Sequence, residues 1–192
     1  MSIFIPVYLY TCLPPMIEEL FDIVDDNDNV IGQAARSAVH ARGLWHRGAH
    51  VLLFDNGGRL LVQKRSADRV ASPSLLDCSV SEHVKAGESY PDAARRGLKE
   101  ELGVEEIDIR PVVKFKTVYG PNDNEISALY EGAADPATVK FDPVEIESIQ
   151  WLSMEELKAG MAESRPSFCG WFVEIMRWYW GETSVLTVLH GE

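Results

Sequence analysis

Residues 82–104 read EHVKAGESYPDAARRGLKEELGV, and this stretch decides the reading of the chain. Ser89 can cap a helix, Pro91 suits a first turn, and Asp92 completes a capping-box-like pair. A helix is therefore expected from this point to about Leu102, with a stop at Gly103. Within it, Arg96 and Glu100 are four residues apart and share one helix face. Glu100 and Glu101 are adjacent carboxylates directed at a loop that carries Glu88. Hard oxygen ligands of this kind suit Mg²⁺ or Mn²⁺ bridging to phosphate.

Upstream, FDIV and NVIG flank the acidic, turn-rich stretch Asp25–Asn29 and predict a short hairpin. Arg36 to His46 reads as a loop or a short helical turn. AHVLLFDNGGRLLVQKRS places two β-rich runs around Asp55-Asn56-Gly57-Gly58, a strong hairpin signal. Asp68 to Leu76 is a loop, and CSVSEHV a short strand. Downstream, Ile109–Thr117, Glu125–Tyr130 and Ile146–Trp151 predict further strands. Ser153-Met154-Glu155-Glu156 is a capping box, and Phe168–Trp180 is a closing helix with Trp171, Ile175 and Trp178 on one face. Strands and helices mix without strict βαβ alternation, so the expected class is α+β, a mixed-sheet sandwich.

The 192 residues are 46% hydrophobic and 25% charged, the balance of an ordinary soluble domain. The formal net charge of −12 argues against a broad nucleic-acid groove. A small anionic substrate remains compatible with it, because a metal ion and a few arginines can reverse the field in one pocket. Three cysteines, Cys12, Cys78 and Cys169, show no CxxC spacing, so neither a disulfide framework nor a structural zinc site is expected. The run IFIPVYLY near the start is too short to span a bilayer and lacks a basic flank. Residues 1–15 read as an N-terminal extension and 16–192 as a single domain. A cytoplasmic setting is expected, with no membrane or nucleic-acid partner; the oligomeric state has no signature.

The stretch from Glu82 resembles the Nudix box, G-x5-E-x7-R-E-U-x-E-E-x-G-U with U aliphatic. Glu88, Arg96, Leu98, Glu100, Glu101, Gly103 and Val104 stand where that pattern asks. Two positions depart: Glu82 occupies the first glycine, and Gly97 occupies the glutamate after the arginine. The resemblance implies the Nudix fold, a mixed β-sheet sandwiched between α-helices, and a metal-dependent enzyme acting on a diphosphate.

Arg36 to Trp180 further resembles the type I isopentenyl-diphosphate isomerases, a branch of that fold. The resemblance implies a divalent-metal site at His40, His46, His83, Asp123 and Glu125, with Asp123 in DNE where that family usually has ENE. It implies diphosphate contacts at Arg36, Arg65 and Arg69, and a magnesium ligand at Glu101. It also implies an aromatic wall at Trp171, whose face can stabilise a carbocation. The main departure is Ser81, where the isomerases have their catalytic cysteine; a hydroxyl is a far weaker acid than a thiol. Cys78 is near in sequence, but three residues along a strand should carry it about 10 Å away and to the opposite face. Cys78 and Cys169 are expected as small buried residues. His50 starts a strand and is given no role.

Three functions follow from these resemblances. A hydrolase would neutralise the diphosphate with metal and attack phosphorus with water; the loss of the cysteine favours it, and Gly97 leaves its base to be found among Glu125, Glu100 and Glu145. An isomerase would explain the histidines, DNE, the arginines and Trp171 together, with Glu125 as the surviving acid/base group. A catalytically silent diphosphate-binding module would explain departures from both patterns. The expected function is divalent-metal-dependent hydrolysis of a diphosphate linkage in a small molecule. Glu125, Glu101 and Ser81 are the expected catalytic residues, and Glu100 is an additional metal ligand.

Overall fold

The chain is described by a computed structural model covering residues 18–189. The expected extension at 1–15, with Cys12, lies outside the described residues. The first hairpin forms as the sequence predicts: β1 (Leu20–Val24) pairs antiparallel with β2 (Val30–Ala35) as a separate two-stranded sheet. Asp25 closes its turn by accepting hydrogen bonds from the amides of Asn27 and Asn29, both at 2.9 Å. The following segment is a true helix, α1 (Arg36–Arg42), which ends at Gly43.

The main sheet is built from β3 (His46–Phe54), β4 (Leu60–Arg65), β5 (Leu76–Asp77), β6 (Val80–His83), β7 (Ile109–Gly120), β8 (Asp123–Ala133), β9 (Ile146–Leu152) and β10 (Thr187–Leu189). Its order is β10-β7-β8-β3-β4-β5, with β6 also on β3 and β9 on β4. β3 and β8 run parallel; the other pairs are antiparallel, so the sheet is mixed. The final strand, β10, falls outside the strands expected from the sequence.

β3 is apolar along most of its length because both its faces are covered. Ala49, Val51 and Leu53 pack with Ala93, Ala94, Leu98 and Leu102 of α2 (Tyr90–Leu102). Leu52 and Leu129 pack on the other side with Leu157 and Met161 of α3 (Met154–Glu163) and with Phe172, Val173, Ile175 and Met176 of α4 (Gly170–Tyr179). Each fully buried valine, leucine, isoleucine, phenylalanine or methionine among them contributes roughly 1.5–3 kcal/mol before the opposing conformational entropy. The result is the expected α+β sandwich, a mixed sheet between helices.

Helix α2 starts and stops where its sequence says. The Ser89 side chain accepts from the Asp92 amide, and Gly103 ends the helix in the left-handed region at φ 62°. The capping box at Ser153 and Glu156 is also present. Among the described residues no helix is long and apolar enough to cross a membrane.

Candidate metal and diphosphate site

Two strand pairings and one helix bring the predicted ligands together. Parallel pairing sets His46 opposite Glu125, and antiparallel pairing sets His83 opposite Gly48, two residues further along β3. Helix α1 then leans His40 over both. The three imidazoles form a nearly equilateral triangle, with ring centroids 5.0, 5.1 and 5.2 Å apart. The nearest oxygen of Glu125 lies 3.7 Å from His46 Nε2 and 3.6 Å from His83 Nε2, and that of Asp123 lies 3.9 Å from His40 Nδ1. Phe21 of β1 stacks on His83 at 4.8 Å and on His46 at 5.8 Å, so the small hairpin walls the cluster off.

This arrangement fits a cation on several counts. His46 Nδ1 donates to the Leu44 carbonyl at 3.0 Å, which leaves the Nε2 lone pair aimed at the cluster. That Nε2 is buried and has no hydrogen-bond partner, and neither has Asp123 Oδ1. Gly48 supplies the room: a Cβ there would sit 2.4 Å from Glu125 Oε2 and 2.7 Å from Ser127 Oγ. Burial pushes His46 down to about 4 and holds His83 well below the usual imidazole range. Burial, then the charge of Asp123, pushes Glu125 up to about 8. Neutral imidazoles beside carboxylates that resist ionisation alone are a donor set that a divalent ion completes.

The cluster opens onto a cavity of about 1050 Å³ whose lining also includes Arg36, Arg65, Arg69, Ser81, Glu100, Glu101, Asp123, Glu125 and Trp171. Every predicted site residue thus lies in the cluster or on the cavity wall. Glu101 is 6% exposed and is fixed by the Gln63 amide at 2.9 Å; burial, then the charge of Glu82, pushes its carboxyl up to about 8. Its neighbour Glu100 points outward and pairs with Arg96 at 3.4 Å, so the two adjacent carboxylates do different things. Arg96 is a hub. It reaches Glu88 at 2.9 Å, Glu82 at 3.1 Å and the His83 carbonyl at 2.9 Å, which pins the loop before α2 to the helix.

Fully buried Asp77, which strand pairing sets opposite the Gln63 that holds Glu101, organises several cavity-lining groups. It accepts from Trp171 Nε1 at 2.6 Å, Arg65 Nη1 at 3.0 Å and Ser81 Oγ at 3.2 Å. Arg65 lies over the Trp171 ring at 5.5 Å. Arg69 pairs with Glu145. Arg65 and Arg69 are therefore held side chains of one cavity, not edge charges.

Two readings of the sequence are corrected here. Cys78 is not remote from Ser81: its Sγ lies 3.2 Å from Ser81 Oγ. The strand that would have separated them is interrupted, because β5 ends at Asp77 and β6 begins only at Val80. Asp77 turns its carboxylate back onto the Cys78 amide at 2.8 Å, which breaks the alternation of faces. Cys78 and Cys169 are nonetheless buried, as expected. His50, given no role, lies inside β3 with Nδ1 3.1 Å from Ser81 Oγ, and it lines the cavity. Its burial pushes it down to about 4, and its Nε2 has no partner. Its position four residues after His46, on an alternating strand, was the signal that it shares the face of that ligand. Glu82 also lines the cavity, although the motif had marked it only as a departure.

A family model described as the NUDIX domain matches residues 44–172. A Streptomyces coelicolor protein, the uncharacterized Nudix hydrolase SCO1686, is 39% identical over 155 residues, covering 76% of this chain and 81% of that protein. An isopentenyl-diphosphate Delta-isomerase of Serratia proteamaculans is 32% identical, covering 84% of this chain and 91% of that one. The crystal structure of DR0079 from Deinococcus radiodurans superposes with a TM-score of 0.65 at 33% identity, over 76% of this chain and 90% of that one.

Proposed function

The chain belongs to the Nudix family, and we propose that within it this protein is a divalent-metal-dependent hydrolase of a diphosphate linkage in a small molecule. The observation that carries the reading is the orphaned histidine–carboxylate cluster opening onto the same cavity as Glu101 and three arginines. The three-histidine end, with Asp123 and Glu125, suits Mn²⁺ or another imidazole-binding ion, and the carboxylate end at Glu101 suits Mg²⁺ or Mn²⁺. A bound ion would neutralise the diphosphate and make a nearby water more acidic. Arg36, Arg65 and Arg69 would bind the diphosphate oxygens, with charge-assisted hydrogen bonds that place phosphorus at a fixed point. Glu125 is the base: it is buried, it sits in the cluster, and it lines the cavity into which the arginines project. Ser81, held by Asp77 and His50, orients water or a substrate oxygen.

Isomerisation is the second reading, and the observation favouring it is the Cys78 thiol beside Ser81, at the place where isomerases carry their cysteine. Against it, Cys78 is fully buried and does not line the cavity, whereas Ser81 does, and burial raises the Cys78 thiol well above the usual range. A turnover assay with Mg²⁺ or Mn²⁺ separates the readings. One arm follows phosphate or pyrophosphate release from nucleoside diphosphate derivatives and prenyl diphosphates. The other follows deuterium uptake from heavy water into isopentenyl diphosphate. Phosphate release that is lost in Glu101→Gln is the expected result. Deuterium uptake alone would establish isomerisation, and silence in both arms with ligand still bound would establish a binding module.

A further inference from the structure

The two departures of the box from its pattern are one feature in space. Glu82 stands where the pattern has glycine, and Gly97 where it has glutamate. Val80 and Glu82 lie on the face of β6 that meets α2. A Cβ built on Gly97 would lie 2.4 Å from Val80 Cγ1, 2.7 Å from Glu82 Cγ and 3.7 Å from Glu82 Cδ. The space that a glutamate at 97 would enter from the helix is filled by the glutamate of the strand.

We propose that Glu82 supplies, from β6, the carboxylate that the box pattern places on the helix at position 97, and that Glu82 and Glu101 together hold a divalent ion on the substrate diphosphate. The proposal rests on the metal-dependent reading above. Its support is geometric: Glu82 and Glu101 line the same cavity, and Glu101 is more than nine-tenths buried with no ion-pair partner among the described residues. Neutralising Arg96 does not by itself account for Glu82. Arg96 already holds Glu88 through two hydrogen bonds and Glu100 through a third. Two carboxylates plus phosphate oxygens are a sufficient protein contribution for an ion such as Mg²⁺. Exchange of the two residues also keeps the number of carboxylates in the box constant.

The test is a Mn²⁺ titration of the metal-free protein, followed by the electron paramagnetic resonance signal of the free ion. Glu101→Gln identifies the class of binding site that belongs to the box. Glu82→Gln, which keeps shape and a hydrogen bond to Arg96, is expected to weaken that class by about tenfold or more. The restoring variant is Val80→Ala/Glu82→Gly/Gly97→Glu, in which both obstructing side chains are cut back. It is expected to bind Mn²⁺ within roughly threefold of Val80→Ala alone, since one carboxylate replaces another. Thermal unfolding of each metal-free variant shows which are folded. Loss in Glu101→Gln without loss in Glu82→Gln overturns the role of Glu82 and leaves the metal-dependent reading intact. No loss in either overturns both. A folded restoring variant that binds no better than Glu82→Gln also overturns the exchange.

Discussion

The two ends of the cavity differ in what their carboxylates are paired with, an arginine at the box and imidazoles at the histidine cluster. At the box end, Glu82, Glu88 and Glu100 all reach the Arg96 guanidinium, and Glu88 is held below its usual range chiefly by its hydrogen bonds to Arg96, against the opposing effect of burial. At the histidine end, Asp123 and Glu125 face neutral imidazoles, and burial raises both. In the first set Arg96 and Glu88 form a structural clamp, whereas burial raises Glu82 in spite of Arg96. The second is a set of buried donors with no lysine or arginine in ion-pair contact among the described residues, and this unbalanced end is where an ion would bring the larger change in free energy.

The comparison breaks most visibly at Glu125. Glu125→Gln keeps the shape but removes both the charge and the base, so kcat/KM for phosphate release should fall by about 10²- to 10⁴-fold, with little change in the metal-free Tm. A fall in Tm of the metal-free protein with activity preserved would make Glu125 a structural residue. Gly48→Ala tests the same point more gently. Its Cβ would meet Glu125 Oε2 at 2.4 Å, so Mn²⁺ affinity at the histidine end should drop by roughly 10- to 100-fold and leave the box end unaltered.

Arg96→Ala should do the reverse. It leaves Glu82 and Glu88 without their countercharge and frees the His83 carbonyl, at a cost of about 3 kcal/mol, read as a lower denaturation midpoint without metal. If stability is unchanged, the clamp is not a clamp.

The difference between the ends also sets a pH dependence. His46 and His50 have folded values lowered to about 4, so their contribution to stability is present above the unfolded histidine value near 6.5 and is lost as pH falls toward 4. Glu101 and Glu125 have folded values raised to about 8, so their contribution is present at low pH and is lost as pH rises toward 8. Between pH 6.5 and 8 the carboxylates act alone. The metal-free protein should lose on the order of 2 kcal/mol over that interval, and Mn²⁺ should raise Tm more at pH 8 than at pH 6.5. A flat metal-free profile, or one that rises, would remove the argument for uncompensated carboxylates.

The clamp was easier to read from sequence than the cluster, for a physical reason. Helix α2, its Ser89 cap, its Gly103 stop and the Arg96–Glu100 pair are all set by neighbours within one or two turns. The histidine cluster depends on the parallel pairing of β3 with β8, which joins His46 to Glu125 across most of the domain. No local pattern encodes that register, and only resemblance to a known family supplied those ligands. The misplacement of Cys78 came from extending a period of two through residues 77–79, where a side chain of Asp77 takes over the backbone amide. Glu82 and Gly97 were visible as departures, but their compensation is not, because the contact joins a strand to a helix.

The smallest expected effect is the one that best separates hydrolysis from isomerisation. Ser81 sits between the Cys78 thiol, the His50 ring and Asp77, with Oγ 3.1 to 3.2 Å from each. If its task is to orient water for attack at phosphorus, then Ser81→Ala removes one neutral hydrogen bond, worth about 1 kcal/mol. The fall in kcat/KM for phosphate release should then be under about tenfold. If instead Ser81 relays a proton between carbon and the buried thiol, the same change removes the cavity-lining hydroxyl beside Cys78, and deuterium uptake into isopentenyl diphosphate would disappear. Ser81→Cys sharpens the contrast from the other side. It places a thiol on the cavity wall in place of the hydroxyl that donates to Asp77, and under the hydrolase reading it should leave phosphate release close to that of Ser81→Ala.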